Sequence, residues 1–489
     1  MADKFVVHKF GGTSVGSADC FAKVADIVSA LEPARGRGGV SYRWQAQGHG
    51  PAHLAAGAGQ AAAHGRVRGH PGHAAQEAPR RGEHAAAARG GRAHREGHRA
   101  RPAVRLGAAA LHLHHAGLQR QRGGSDGKKH HFRFVDARDF LTVEPDNEHG
   151  PVVQYDLSTQ KMQDILKSGE DGELTHLVVT GFICSTTEGV MTTLKRDGSD
   201  FTASICGRVL HASSVTIWTD VSGVLSADPR RVPESQILPE ISYQEAMELA
   251  YFGAKVIHPK TMAPAIVEDI PIYIRNTFEP EHPGTKISHR KKVELKRTLS
   301  NGAPTARNIV SGFSTVDDLA LFNIEGSGMV GVHGTSSRLF SALDRVKVNV
   351  VLIAQASSEH SICFAVPMDC AEIAKDVINE TFFKEIHVGH IDKAEYIAPI
   401  SIIAAVGDQM NQTPGVCARF FGALGRAKIN VLAISQGSSE RNISAVVRYE
   451  DSAAALRAVH SSFFLSDQTL SIGLMGLEFA RVSQAAFQR

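Results

Sequence analysis

The sequence predicts an α/β protein: a mainly parallel sheet sandwiched by helices, followed by two smaller α+β modules. Three observations carry this. The chain opens with an apolar strand that stops at Gly11-Gly12 and runs into a helical period. From Phe132 to about Ile287, apolar strand patterns alternate with helical ones, the mark of strands covered on both faces. Finally, residues 334–359 (GTSSRLFSALDRVKVNVVLIAQASSE) align without a gap with residues 415–440 (GVCARFFGALGRAKINVLAISQGSSE), an internal repeat offset by 81 residues.

Taken in order, Phe5–Phe10 reads as the first strand, Thr13–Ser17 as cap residues and Cys20–Leu31 as a helix. FRFVDARDFLTV (132–143) reads as a strand then a loop, and LTHLVVTGFIC (174–184) as one buried strand. A helix over Asp200–Leu210, a strand at VTIWTD (215–220), a helix over Tyr243–Phe252 and a strand at IPIYIRNT (270–277) follow. The polar run SHRKKVELKRTLSNGAPTA (288–306) marks a boundary, so the expected organisation is a first domain over 1–290, a linker at 291–306 and a repeat-bearing domain over 307–480. Its repeats centre on 326–367 and 406–447. Each copy reads as a helix, a turn at Lys-x-Asn and an apolar strand, with second helices at Ala371–Thr381 and Ala453–Ser462.

The 489 residues suffice for two or three domains, and 43% hydrophobic content supplies their cores. The net charge of +3 is unevenly spread. Gly36–Gly127 holds 14 arginines against Glu77, Glu83, Glu96 and Asp126, while the remainder is mildly acidic, so nothing calls for nucleic acid as a partner. That segment lacks Ile, Phe, Met, Cys, Asn, Thr and Lys. It cannot bury enough apolar surface to offset ordering entropy and is expected to be loose. An anion-binding arm would use its arginines, and a histidine tract could bind metal. The absence of interleaved aromatics and of repeated ligand spacing weighs against both. A reading-frame slip fits better, because the residues present come from GC-rich codons and those missing from AT-rich ones. Six cysteines without CxxC spacing suit reduced thiols. With no apolar leader and no span of ~20 apolar residues, a cytoplasmic location away from membranes is expected.

Four stretches carry chemistry. VHKFGGTSVGS (7–17) sets a lysine at a strand end, then two glycines, then hydroxyls at a helix start. Glycines let backbone N–H groups approach an anion, and the helix N-terminus favours it. An ordinary strand–loop–helix turn reads the same way on Gly-Gly alone, and no Walker loop is present. TTLKRDGSDFTASICG (192–207) offers Arg196 for a carboxylate fork and Asp200 at a helix start, where helix capping is the plainer role. IWTDVSGVLSADPRRV (217–232) follows a strand end, where ligands of open α/β sheets sit. YFGAKVIHPKT (251–261) places Lys255 after an apolar helix.

Together, KFGGTS, TTLKRDGSD, WTDVSGV with ADPR, and FGAKVIHP resemble aspartate kinases of the amino-acid-kinase superfamily. SYQEAMELAYFGAKVIHP and IAQASSEHSICFAVP are most similar to the kinase half of bifunctional aspartate kinase–homoserine dehydrogenases. The resemblance covers residues 4–31 and about 132–480. It implies an amino-acid-kinase-like fold with two ACT modules, and ATP-dependent phosphorylation of the L-aspartate side-chain carboxylate. Lys9 and Asp200 are the implied catalytic residues, with Gly11, Gly12, Thr13 and Ser14 as the cradle. Arg196 and Ser199 fall on the aspartate side, and Thr219, Asp220, Arg230 and Lys255 on the ATP side. Leu225 departs from the aromatic residue that several relatives carry. Mg²⁺ is expected with ATP, held mainly by phosphates. The ACT resemblance implies an amino-acid effector, threonine or lysine, at Asn349, Gln355, Asn430 and Gln436, and assembly into a homodimer or larger. Side chains that merely satisfy strand ends remain the plainer alternative there.

Two expectations follow. GSGMVG (326–331) matches the dinucleotide motif GxGxxG, but Val332–Gly334 intervene before its helix, the next strand ends in Gln355, and the second copy reads GDQMNQTPG. The chain ends just past that copy, so a dehydrogenase module is expected to be absent. And this family supplies a core strand, a Ser/Thr loop and a Gly-Glu helix after its first helix. None is legible between Gly36 and Gly127, so little kinase activity is expected.

Overall fold

The computed structural model describes residues 5–30, 40–42, 132–147, 150–168, 176–195, 197–253, 257–289, 309–355, 360–411 and 413–464. The first part comprises strands β1 (Val6–Phe10), β2 (Val40–Tyr42), β3 (Phe132–Val135), β4 (Thr142–Asn147), β5 (Gly150–Val153), β6 (His176–Val179), β7 (Ile183–Thr186), β8 (Met191–Thr193), β9 (Ser214–Thr219), β10 (Glu240–Ser242), β11 (Ile272–Asn276) and β12 (Thr285–Ser288). Its helices are α1 (Ala18–Ala30), α2 (Ala137–Phe140), α3 (Tyr155–Lys167), α4 (Gly198–Val209), α5 (Tyr243–Tyr251) and α6 (Pro259–Val267). The main sheet runs β10-β12-β11-β9-β1-β2-β6-β3 and is parallel except where β11 meets β12. Alternation along β1 and β9 sets its two faces. Val7, Val215 and Ile217 join Phe201, Ile205 and Val209 of α4, whereas Phe10 and Trp218 join Val24 and Ile27 of α1. Phe10 and Trp218 lie side by side with ring centroids 5.6 Å apart. A smaller sheet, β5-β4-β7-β8, flanks the main one.

Three sequence expectations are corrected. A core strand was not legible after Gly36, yet Val40–Tyr42 forms β2, hydrogen-bonded parallel between β1 and β6. No strand period shows in the sequence there, and pairing with β1 and β6 dictates the conformation. LTHLVVTGFIC is two strands in different sheets, β6 and β7, because Phe182 turns the chain at φ 72°. FRFVDARDFLTV holds a turn of helix, α2, capped by the Asp136 side chain, and then β4 rather than a loop. The linker at 291–306 and nearly all of 36–131 lie outside the described residues.

The second part comprises β13 (Gly312–Glu325), β14 (Leu352–Gln355), β15 (Ser361–Pro367), β16 (Glu395–Val406), β17 (Ala433–Ser435) and β18 (Asn442–Arg448), with α7 (Thr335–Arg345), α8 (Ala371–Thr381), α9 (Phe383–His387), α10 (Val416–Arg426) and α11 (Ser452–Phe464). The two repeats fuse through β13–β16 into one antiparallel sheet, β14-β15-β13-β16-β18-β17. Leu339 and Leu343 of α7 with Ala374 and Ile378 of α8 cover one half; Phe420 and Leu424 of α10 with Leu456 and Val459 of α11 cover the other. The Lys-x-Asn turns are conformationally identical: Lys347 and Lys428 both have φ 57°, and Val348 and Ile429 donate back to Leu343 and Leu424. That is a Schellman termination with lysine where glycine is usual. Gly326–Gly331 follows a strand antiparallel to both neighbours, not the parallel strand a dinucleotide motif needs.

The two parts share a seam. Leu249 and Phe252 belong to the same apolar cluster as Leu321, Ile402 and Ala404. At its centre Glu245 is fully buried. It completes a capping box with Ser242 and accepts hydrogen bonds from Ser311 Oγ at 2.5 Å and Asp408 N at 2.9 Å.

Candidate functional site

The carboxyl ends of β1, β9 and β11 are neighbours, since these strands are parallel and in register at Lys9–Ile217 and Ile217–Ile274. Open α/β sheets present ligand sites along this edge. Lys9 leaves β1 on the face covered by α4, and its Nζ lies 2.5 Å from Asp200 Oδ1 in the first turn of that helix. Both side chains are largely buried, at 11% and 17% exposure, so the pair is poorly screened. Among the described residues no hydrogen bond reaches Asp200 Oδ1; that oxygen has a charge partner and no directional donor. The lysine folds over Gly11, where an added Cβ would stand 2.4 Å from Nζ, so a larger residue there would push the lysine head aside.

After Gly11 the chain makes one 3₁₀ turn, Gly12–Val15. Thr13 is exposed at its tip. Ser14 is placed differently from its expected role in the cradle. It is fully buried, donates to Trp218 O at 3.2 Å and shares a 2.7 Å hydrogen bond with Thr277 Oγ1. Its hydroxyl ties the turn to the ends of β9 and β11. Ser199 is 7% exposed in the first turn of α4, beside Asp200. The backbone entering this helix has positive φ at Lys195 and Asp197, 61° and 50°. Arg196 between them lies outside the described residues, and so does Lys255.

At the end of β9, Thr219 Oγ1 donates to Asp220 Oδ1 at 3.1 Å, and Thr219 O accepts from Thr277 N at 2.8 Å. Further along, Arg230 closes on Asp228 of its own turn, with Nη2 2.7 Å from Oδ2. Hydrogen bonds from that guanidinium hold the Asp228 carboxyl below the usual carboxylate range. Arg230 is 81% exposed. Beneath the site, Trp218 Nε1 donates to His8 Nδ1 at 3.2 Å. Burial, seconded by Arg275, lowers the His8 pKa to about 4, so it stays neutral.

Sequence reasoning missed Asn276 and Thr277, which extend the same edge from β11. Asn276 Nδ2 donates to Ser222 Oγ, which donates to Glu279 Oε2. Their position at the end of an apolar strand was the available signal.

A second site lies in the later repeat. A cavity of about 360 Å³ is lined by Met410, Thr413, Gly415, Cys417, Gln436 and Glu440, among others. Gln436 is among its lining residues. Asn430 is exposed in the preceding turn and is not among the lining residues. Gln355 and Asn349 are the exposed counterparts in the first repeat, where residues 356–359 lie outside the described residues.

A Lys–Gly-Gly edge in a largely parallel sheet, followed by fused α+β repeats, sets the class, and sequence profiles match it. The Amino acid kinase family profile matches residues 4–276, and the ACT domain profile matches 322–382 and 403–463, again 81 residues apart. The chain belongs to the amino acid kinase family. Within it, the relatives it is similar to are aspartokinases. It is 46% identical over 343 residues to bifunctional aspartokinase/homoserine dehydrogenase 1 of Arabidopsis thaliana, covering 70% of this chain and 37% of that one. It is 32% identical over 299 residues to the aspartokinase of Schizosaccharomyces pombe, covering 58% and 55%. The chain thus spans little more than a third of the bifunctional relative. Its fold is that of Clostridium acetobutylicum aspartate kinase, with a TM-score of 0.65 at 20% identity over 94% of this chain and 100% of the other. Escherichia coli aspartokinase III in complex with aspartate and ADP gives 0.61 at 21% identity, over 94% and 100%.

Proposed function

We propose that this chain carries aspartate kinase chemistry: transfer of the ATP γ-phosphoryl group to the side-chain carboxylate of L-aspartate, giving 4-phospho-L-aspartate. The carrying observation is the buried Lys9–Asp200 pair at the carboxyl edge of β1. The attacking carboxylate is already ionised, so the task is positioning and charge neutralisation rather than deprotonation. Lys9 is the cation aimed at the transferring phosphoryl, and Gly11 and Gly12 let backbone approach it. Asp200 orients Lys9, and Arg196 with Ser199 takes the aspartate. Thr219, Asp220, Arg230 and Lys255 form the nucleotide side. Among the described residues no three His, Cys, Asp or Glu side chains converge as metal ligands. A Mg²⁺ ion accompanying ATP would rest mainly on phosphate oxygens and screen their charge.

The ACT modules take a feedback amino acid, threonine before lysine, at the Gln436 cavity, and assemble the chain into a homodimer or larger. Coupled assay of ADP release with and without L-aspartate tests the activity, and Lys9→Met is expected to abolish it. The composition of Gly36–Gly127 favours a second reading, a chain that binds nucleotide and effector but turns over poorly. ADP binding without aspartate-dependent turnover distinguishes it, and absence of both sinks the kinase reading. No helix among the described residues is long and apolar enough to cross a membrane.

A further inference from the structure

The loop after β9 is built into the second repeat. Ala227 and Val232, 4% and 1% exposed, lie in the apolar cluster of Phe313, Phe420 and Leu424. Between them the chain turns tightly, with Arg231 N and Val232 N both donating to Asp228 O. Phe313 N donates to Ser226 O at 2.7 Å, and Ser226 Oγ hydrogen-bonds His460 Nε2 at 2.9 Å. The two adjacent arginines then diverge. Arg230 stays at 81% exposure, its guanidinium on Asp228 within the turn. Arg231 points back, with Nη2 2.5 Å from Asp317 Oδ2 and Nη1 3.4 Å from Thr315 Oγ1 and Ser452 Oγ. Asp317 accepts from Ser401 Oγ at 2.6 Å, at the register shift where β13 meets β16.

Apolar anchors fix how deep a loop sits but tolerate rotation about the line joining them. A guanidinium fork on a carboxylate is directional and removes that freedom. We propose that Arg231 is a positioning residue of the nucleotide site: its ion pair with Asp317 at the centre of the repeat sheet sets the presentation of Arg230. The repeat sheet is then the back wall of the nucleotide loop. This rests on the reading above that Arg230 meets the nucleotide.

Calorimetric titration of the full chain with ADP tests it, with melting curves in parallel. Arg231→Met and Asp317→Asn are each expected to weaken ADP about ten-fold, and the double variant no further than Arg231→Met alone, the non-additivity of a coupled pair. Arg231→Lys, which keeps the charge without the fork, falls between. Asp317→Asn keeps the side-chain volume and reads the same pair should Arg231→Met not fold. Affinity within about two-fold of the parent in Arg231→Met, with a lowered melting temperature, makes Arg231 a plain structural tie and overturns the proposal. Additive losses overturn it as well. A parent chain that does not bind ADP removes the nucleotide reading and the proposal with it, an outcome separate from both.

Discussion

Replacing Glu245 by alanine removes the carboxylate at the seam between kinase and repeat sheet. The side chain is fully buried and accepts from Ser242 N at 2.8 Å, Ser311 Oγ at 2.5 Å and Asp408 N at 2.9 Å. Ser242 N and Ser311 Oγ would be left without this partner at a buried place, and Asp408 N at a partly buried one. A buried orphaned donor costs ~1–3 kcal/mol, and the capping box accounts for about 1 kcal/mol of this. The total is about 3–6 kcal/mol. For units of this size that lowers the melting temperature by roughly 10 °C. Calorimetric melts of the parent, Glu245→Ala, Glu245→Gln and Ser311→Ala provide the comparison. Glutamine keeps one acceptor oxygen for Ser311 and Asp408 but sets an amide N–H against Ser242 N, so an intermediate loss is expected. Ser311→Ala removes one bond and costs about 1 kcal/mol. A loss under ~1 kcal/mol in Glu245→Ala would show that the seam repacks around the gap, and the accounting above would be wrong.

Acid weakens the fold through His8. Its folded pKa is about 4 against an ordinary value of 6.5, so below 6.5 the unfolded chain takes up a proton that the folded chain refuses. Stability falls as pH drops from 6.5 towards 4, by about 3 kcal/mol, and this group contributes no further loss below that; denaturant titrations of His8→Gln should show a shallower slope over the same window. Gly284→Ala should cost roughly 2–4 kcal/mol in melts, because φ is +76° and the new Cβ would lie 2.0 Å from Ile274 O. Gln436→Ala should abolish the melting-temperature rise caused by threonine while leaving that caused by ADP, as linkage requires of separate sites; loss of both shifts would mean the cavity is not a distinct effector site.

Contiguous signals were legible in the sequence. Lys9, its glycines and the helix behind them occupy one short run, and the repeat declares itself by self-alignment. Features made by distant residues were not. Ser14 looked like a ligand hydroxyl until Thr277, 263 residues away, took it. Arg230 and Arg231 are the same letter twice, and their partners separate them: Asp228 in the turn for one, Asp317 of the repeat sheet for the other. The division of LTHLVVTGFIC between two sheets depends on one backbone angle at Phe182, which an apolar run does not reveal. Repeat position matched Gln355 with Gln436 and Asn349 with Asn430, but it does not say which of them borders a cavity; Gln436 does, and Asn430 is not among the lining residues.

Strand β2 pairs in parallel with β1 on one side and with β6 on the other. In the strand order of the described residues it stands between β6 and β3 and the block β1, β9, β11, β12 and β10 that holds the Lys9 edge. A change that unpairs β2 would therefore part the sheet at that place, and amide exchange in β6 and β3 would rise through an opening far smaller than global unfolding while the Lys9 block stays protected.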